Sequence, residues 1–345
     1  MNALLYGAYG YTGELTARLA VEQGLKPTLS GRNEAKLREV AERYDLPYVT
    51  ASLDDIAPVL ADFEVVMHCA GPFSRTSKPM VDACIATGTH YLDITGEVPV
   101  FQACRARDQE AKDAGVMLLP GIGFDVAPTD CLAVWLAEQL PGATELHLAV
   151  LAGGQLSHGT MTTVVENLAS GSLARKGGEL VPTRTAVHVR KVAFPRGERS
   201  IASAPLGDLV SAHHSTGIQD ITTYLGLPPK VIRMMRTTRS LTWIAGWPPV
   251  QRLLQKRIDA LPAGPTDDVR ASGWAQAWGE VVRGDERLQG HVGVCEGYTF
   301  TALCTLLAAR KVLEGTHPPG YQTPATAFGP DLVIELGGER ALVPS

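Results

Sequence analysis

Asn2-Ala3-Leu4-Leu5-Tyr6-Gly7-Ala8-Tyr9-Gly10-Tyr11-Thr12-Gly13 is the stretch on which the fold turns. An apolar run leads into three glycines spaced GxxGxxG, and an amphipathic helix is predicted next, with Leu15, Leu19 and Val21 on its buried side. Strand, tight glycine turn and helix N-terminus is the order a dinucleotide fold requires. Gly7 permits the turn, Gly10 lets a pyrophosphate approach the backbone, and Gly13 lets the helix sit close to the strand. Free amides and the positive end of the helix dipole then hold the phosphates, with Tyr9, Tyr11 and Thr12 lining the same turn. Many loops match this glycine spacing; its place between a strand and a helix selects the cofactor reading.

Residues 26–30 read as a second strand. Dinucleotide folds commonly end it with an Asp or Glu that accepts from the adenosine ribose 2′-OH. Here the position is Ser30, followed by Gly31, Arg32 and Asn33, with Lys36 a turn later. Ser, Arg and Lys suit a 2′-phosphate that a carboxylate would repel. One such charge-assisted bond is worth about 1.5–3 kcal/mol, so the expected cofactor is NADP(H). The alternative makes Arg32 and Lys36 the solvated start of a helix capped by Asn33.

The alternation continues through a helix at 33–45, with Leu37, Val40, Ala41 and Tyr44 inward, and a strand at 47–50. A helix at 53–61 and a strand at 64–69 follow. A helix opened by Pro79 runs to Thr87, and strands at 91–93 and 116–119 flank a helix at 100–114. Right-handed crossovers make this a Rossmann-type, doubly wound parallel sheet. Ligands in such sheets bind beyond the carboxyl ends of the strands. Three exits should therefore converge: Cys69-Ala70-Gly71-Pro72-Phe73, Asp93 to Gly96 and Glu97, and Gly121 to Asp125.

An apolar helix at 128–139 ends before Pro141-Gly142, giving two domains: residues 1–128 bind NADP(H), and residues 129–345 form an α+β domain. The C-terminal segment of the second domain is expected to pack back on the first. Strands are expected at 145–151, 187–194, 208–214 and 221–225, with a hairpin at 273–282 and 288–295 and a last strand at 331–336. Strands with few helices between them imply a largely antiparallel sheet. Helices are expected at 160–168 and 298–313. Residues 230–261 stand apart, with Arg233, Arg236 and Arg239 at intervals of three before Trp243 and Trp247. This stretch fits a core helix pair, a homodimer contact, an acyl-substrate entrance or a weak membrane-surface contact.

Apolar residues are 45% of the chain, charged residues 19%, and the net charge is −5, which gives no electrostatic case for nucleic acid. No run reaches the roughly 18 apolar residues of a transmembrane span. Glu14 and Arg18 interrupt any secretory signal, so a cytoplasmic location is expected. The six cysteines form no CxxC and read as reduced thiols. No metal site is expected, and on a strand His213 and His214 would point to opposite faces.

Several of these motifs together resemble the saccharopine dehydrogenase-like oxidoreductases. They are Gly7 to Gly13, Ser30-Gly31-Arg32, Cys69 to Phe73, His90-Tyr91-Leu92-Asp93-Ile94-Thr95-Gly96-Glu97 and Pro120-Gly121-Ile122-Gly123-Phe124-Asp125. Pro319 to Pro324 and Ala327-Phe328-Gly329 look like the bacterial branch of that family, which is similar to trans-acting enoyl reductases. The resemblance implies an N-terminal NAD(P)-binding domain and an α+β domain that covers the nicotinamide. The expected activity is that of an NADPH-dependent reductase of a C=C or C=O bond in a small or acyl-type substrate. A saccharopine-type amine or imine dehydrogenase and a redox-sensing NADP-binding protein are the alternatives. Candidate catalytic groups are Glu97, Asp125 and His158, with Tyr9, Tyr91 and Asp93 nearby. No Tyr is followed by Lys four positions later, so the Tyr-x-x-x-Lys relay of short-chain dehydrogenases is missing.

Overall fold

A computed structural model describes residues 1–153, 155, 157–167, 171–238 and 247–343. The chain forms two units: Met1–Ala127 with Tyr298–Leu332, and Pro128–Gly297 with Val333–Ser345.

The first unit is a parallel sheet of seven strands in the order β15-β6-β5-β4-β1-β2-β3. These are β1 (Ala3–Tyr6), β2 (Thr28–Gly31), β3 (Tyr48–Thr50), β4 (Val65–His68), β5 (His90–Asp93), β6 (Met117–Leu119) and β15 (Gly320–Tyr321). Ala3, Leu4, Leu5, Val65, Val66 and Met67 are fully buried, as expected for central strands covered on both faces. The crossovers run through α1 (Tyr11–Glu22), α2 (Glu34–Tyr44), α3 (Ile56–Leu60), α4 (Phe73–Thr87), α5 (Val98–Ala106) and α6 (Asp108–Asp113).

Three helices depart from expectation. In α1 the buried positions are Gly13, Thr16, Ala17 and Ala20 with Leu15, while Val21 is exposed. Small side chains at i, i+3, i+4 and i+7 let the helix lie close to the sheet, so the face follows glycine and alanine rather than Val21. α4 begins at Phe73, and Pro79 lies inside it. Pro79 has no N–H for the Arg75 carbonyl, yet burial of Phe73, Ser77, Met80, Val81 and Cys84 holds the helix through that gap. The helix expected at 100–114 is divided at Arg107 into α5 and α6.

The second unit holds a mixed sheet of nine strands in the order β10-β11-β12-β7-β13-β14-β16, with β8 on β12 and β9 on β8. These are β7 (Glu145–Gly153), β8 (Ser172–Lys176), β9 (Glu179–Thr183), β10 (Val189–Phe194), β11 (Gly197–Ser203), β12 (Asp220–Gly226), β13 (Trp274–Arg283), β14 (Glu286–Val294) and β16 (Glu339–Leu342). Every pairing is antiparallel except β12 with β7. α7 (Ala127–Gln139) packs Leu132 and Leu136 on β13 at Gly279, where a Cβ would stand 2.8 Å from Leu136.

Two expected strands are helices. Residues 208–214 lie in α9 (Asp208–Thr216), which buries Leu209, Val210 and Ala212 and stops at Gly217, φ +73. The β-branched alternation read there is one helical face plus its neighbours. His213 and His214 sit in its last turn, and His213 Nδ1 lies 3.0 Å from the Ile218 carbonyl oxygen. Residues 331–336 hold the helical turn Leu332–Glu335, closed by Gly337 at φ +79, and the last strand is β16. α8 (His158–Asn167) and α10 (Pro229–Thr238) complete the described elements used below, with the helix Pro248–Asp259. Leu168 and residues 239–246, including Arg239 and Trp243, lie outside the described residues.

Candidate cofactor site

The turn after β1 is built by its glycines. Gly7 stands at φ +86, and a Cβ there would meet Ala70 at 2.9 Å. Gly7 and Ala8 donate their amides to the Ser30 carbonyl at 2.8 and 3.2 Å, tying the turn to β2. Gly10 donates to the Gly7 carbonyl at 3.0 Å. A Cβ on Gly13 would lie 2.2 Å from that same oxygen, so α1 touches the turn backbone directly. Gly10 is the N-cap of α1, and no side chain caps the helix. First-turn amides and the dipole are thereby left for an anion, and the turn fits the diphosphate of a dinucleotide. Tyr11 packs edge-on against Tyr298 at 5.1 Å, bringing the helix Gly297–Leu313 to the same place.

At the end of β2, Ser30 is fully buried and its Oγ has no partner among the described residues, so its contribution to the turn is its carbonyl. Tyr9 lies flat enough on Gly31 that a Cβ there would be 2.5 Å from its ring. Arg32 and Lys36 are exposed, and neither side chain forms an ion pair among the described residues. Asn33 does cap α2, accepting from the Lys36 amide at 3.1 Å. Asn33 thus caps the helix as in the alternative reading, and both cationic side chains are exposed at the β2 end. The buried Tyr6 hydroxyl nearby is pushed up to about 12 by desolvation and by Tyr9, with Arg32 lowering it and Asp54 raising it.

At the β4 exit, His68 Nε2 lies 3.0 Å from Thr76 Oγ1, and that hydroxyl bonds the carbonyls of Ala70 and Pro72 at 2.7 and 3.2 Å. The hydroxyl hydrogen is taken by a carbonyl, so His68 donates from Nε2 and is neutral. Burial holds its pKa at about 3. Gly71 and Pro72 complete the loop, and burial pushes the half-buried Cys69 thiol up to about 12.

Glu97 is 7% exposed and accepts from the amides of Phe73 at 2.9 Å and Ser74 at 3.0 Å. Both oxygens are thus committed to the N-terminus of α4. Glu97 supplies at that helix the negative charge that α1 leaves to a ligand. Replacing Glu97 with alanine strands two amides; a loss of about 2–4 kcal/mol in urea unfolding is expected. Glutamine should recover part of it, since it keeps one acceptor.

Asp93 is fully buried and accepts from Tyr91 Oη at 2.5 Å, the Thr95 amide at 2.9 Å and the Gly121 amide at 2.8 Å. Burial lifts its pKa to about 6 against those bonds, which pull it down. Its role is to lock the β5 exit to the β6 exit. Asp125 differs. It reaches solvent, makes no hydrogen bond or ion pair among the described residues, and stands 3.2 Å from where a Gly96 Cβ would be. Desolvation raises its pKa. His158, in the second unit, places Nε2 2.7 Å from the Leu261 carbonyl and opens α8.

Residues 3–119 match the family model described as saccharopine dehydrogenase NADP binding domain. The segment is a saccharopine dehydrogenase-type NAD(P)-binding domain. A putative trans-acting enoyl reductase of Mycobacterium tuberculosis is 32% identical over 190 residues, covering 50% of this chain and 45% of that protein. A trans-acting enoyl reductase of Mycobacterium leprae is 35% identical over 143 residues, covering 37% and 34%. The matched region thus spans less than half the length of these relatives. Apo saccharopine dehydrogenase (L-Glu forming) from Saccharomyces cerevisiae shares the fold, at a TM-score of 0.68 and 12% identity over 99% of both chains.

Within the NAD(P)-binding domain, sequence reading brought Gly7, Gly10, Gly13, Ala70, Gly96 and Asp125 to one set of strand exits, and those exits do meet. Two supports escaped it. Thr301 accepts from the Phe124 amide at 3.0 Å through Oγ1, bracing the β6 exit from the helix Gly297–Leu313, and Tyr298 packs on Tyr11. Both sit in an apolar helix remote in sequence, where no local pattern marks them.

Proposed function

We propose that this protein is an NADPH-dependent oxidoreductase that reduces a C=C or C=O bond of a small or acyl-type substrate. The observation that carries the reading is the uncapped α1 N-terminus beside two unpaired cations, Arg32 and Lys36, at a β2 end that has no carboxylate. The turn amides would hold the diphosphate, and Arg32 and Lys36 the 2′-phosphate. When bound, the cofactor supplies the hydride.

The chain must then supply a proton to the second atom of the reduced bond. Asp125 is the residue assigned to this step, because its exposed carboxyl stands beside Gly96 uncommitted to any hydrogen bond among the described residues, and desolvation raises its pKa. Glu97 and Asp93 are positioning residues: each oxygen of Glu97 and both oxygens of Asp93 already accept hydrogen bonds. The mycobacterial relatives favour an enoyl thioester over an imine, and a substrate panel of enoyl thioesters, ketones and imines followed at the NADPH absorbance tests the choice. Turnover of imines alone would move the assignment to the amine dehydrogenases.

Replacing Arg32 with alanine should weaken NADPH binding about tenfold or more and leave NADH nearly unchanged. Fluorescence titration with both nucleotides measures it, and equal affinities in the parent protein would refute the 2′-phosphate assignment.

A further inference from the structure

Residues 230–261 carry seven Lys and Arg against Asp259 alone, a net +6. The rest of the chain therefore holds −11 of a total of −5. Two helices in this stretch are amphipathic. α10 packs Ile232 and Met235 against Ala186 and Ala202 and leaves Arg233, Met234 and Arg236 exposed. The helix Pro248–Asp259 buries Ile258, joins α8 through Gln255 and Thr162, and leaves Leu253, Lys256 and Arg257 exposed. Among the described residues, all four large apolar side chains more than half exposed lie here: Met234 at 58%, Trp247 at 60%, Leu253 at 56% and Leu261 at 51%. Beside α10, β10 and β11 a cavity of about 440 Å³ is lined by Val189, Ser200, Ile232, Arg233 and Arg236. Neither arginine is in an ion pair among the described residues.

Large apolar side chains exposed among cations on an otherwise acidic protein match an interface that is apolar below and anionic above. We propose that α10 and residues 247–261 dock on an anionic phospholipid bilayer, with a headgroup phosphate at Arg233 and Arg236 and with Met234, Trp247, Leu253 and Leu261 entering the acyl boundary. The contact is peripheral, since no helix of the described residues is long and apolar enough to cross a membrane. Charge complementarity selects the lipid: a second copy would set +6 against +6 across a symmetric contact.

Co-sedimentation of the full chain with vesicles tests this. At low salt the protein should pellet with vesicles of equal parts phosphatidylcholine and phosphatidylglycerol, with a blue shift of tryptophan emission, and stay in solution with phosphatidylcholine alone. The double variant Arg233→Glu/Arg236→Glu should lower partitioning at least about tenfold, and Met234→Ser/Leu253→Ser several-fold. All four side chains are exposed, so unchanged melting and unchanged NADPH binding should certify both variants as folded. Equal binding to both vesicle types, or failure to pellet with the anionic ones, would overturn the proposal. So would a concentration-dependent dimer in sedimentation velocity that the same substitutions abolish.

Discussion

Replacing Asp125 with asparagine should lower kcat by about 10²–10⁴-fold, the range for removal of a general acid. NADPH affinity should hardly change. Asparagine keeps the size of the side chain beside Gly96, and it removes the acidic proton. The pH profile separates this role from a structural one. Desolvation raises the Asp125 pKa, so the parent should be active below that raised value and lose kcat as pH rises through it. The variant should lack that limb. A parent profile without it, or a variant within a factor of a few of the parent, would remove Asp125 from the mechanism.

Gly13→Ala should have the second largest effect, a loss of about a hundredfold in NADPH affinity, or ~2.8 kcal/mol. The added methyl would stand 2.2 Å from the Gly7 carbonyl oxygen, a backbone atom already accepting from Gly10. α1 must therefore retreat, taking its amides away from the diphosphate, and the melting temperature should fall with the affinity. Gly10→Ala is the informative partner. Its Cβ would be 3.3 Å from the same oxygen, so the fold should tolerate it while close approach of the ligand is blocked. If both variants bind NADPH like the parent, the turn does not hold the diphosphate.

What the sequence revealed follows from how local each cause is. The Gly7 turn, the buried strands and the cap at Asn33 are written in neighbouring residues, and all were legible. The α9 helix was not: Leu209, Val210 and Ala212 read as a strand until burial against the sheet and the left-handed Gly217 are known. Pro79 misled for a related reason, since packing of Met80, Val81 and Cys84 outweighs one missing amide. Glu97 marks the limit at the site itself. Its place after a strand exit suggested chemistry, but only coordinates show both oxygens held by the amides of α4.

β15 carries a consequence for biosynthesis. Gly320 and Tyr321 pair with Met117 and Leu118, yet the 170 residues Pro128–Gly297 of the second unit are made in between. At translation rates of about 5–20 residues per second, the nascent six-stranded sheet waits on the order of ten seconds or more with the outer edge of β6 open. A fragment ending near residue 128 would keep that raw edge permanently and should self-associate. The nucleotide-binding unit thus matures only after the intervening second-unit segment has been made, and chaperones have that interval in which to shield it.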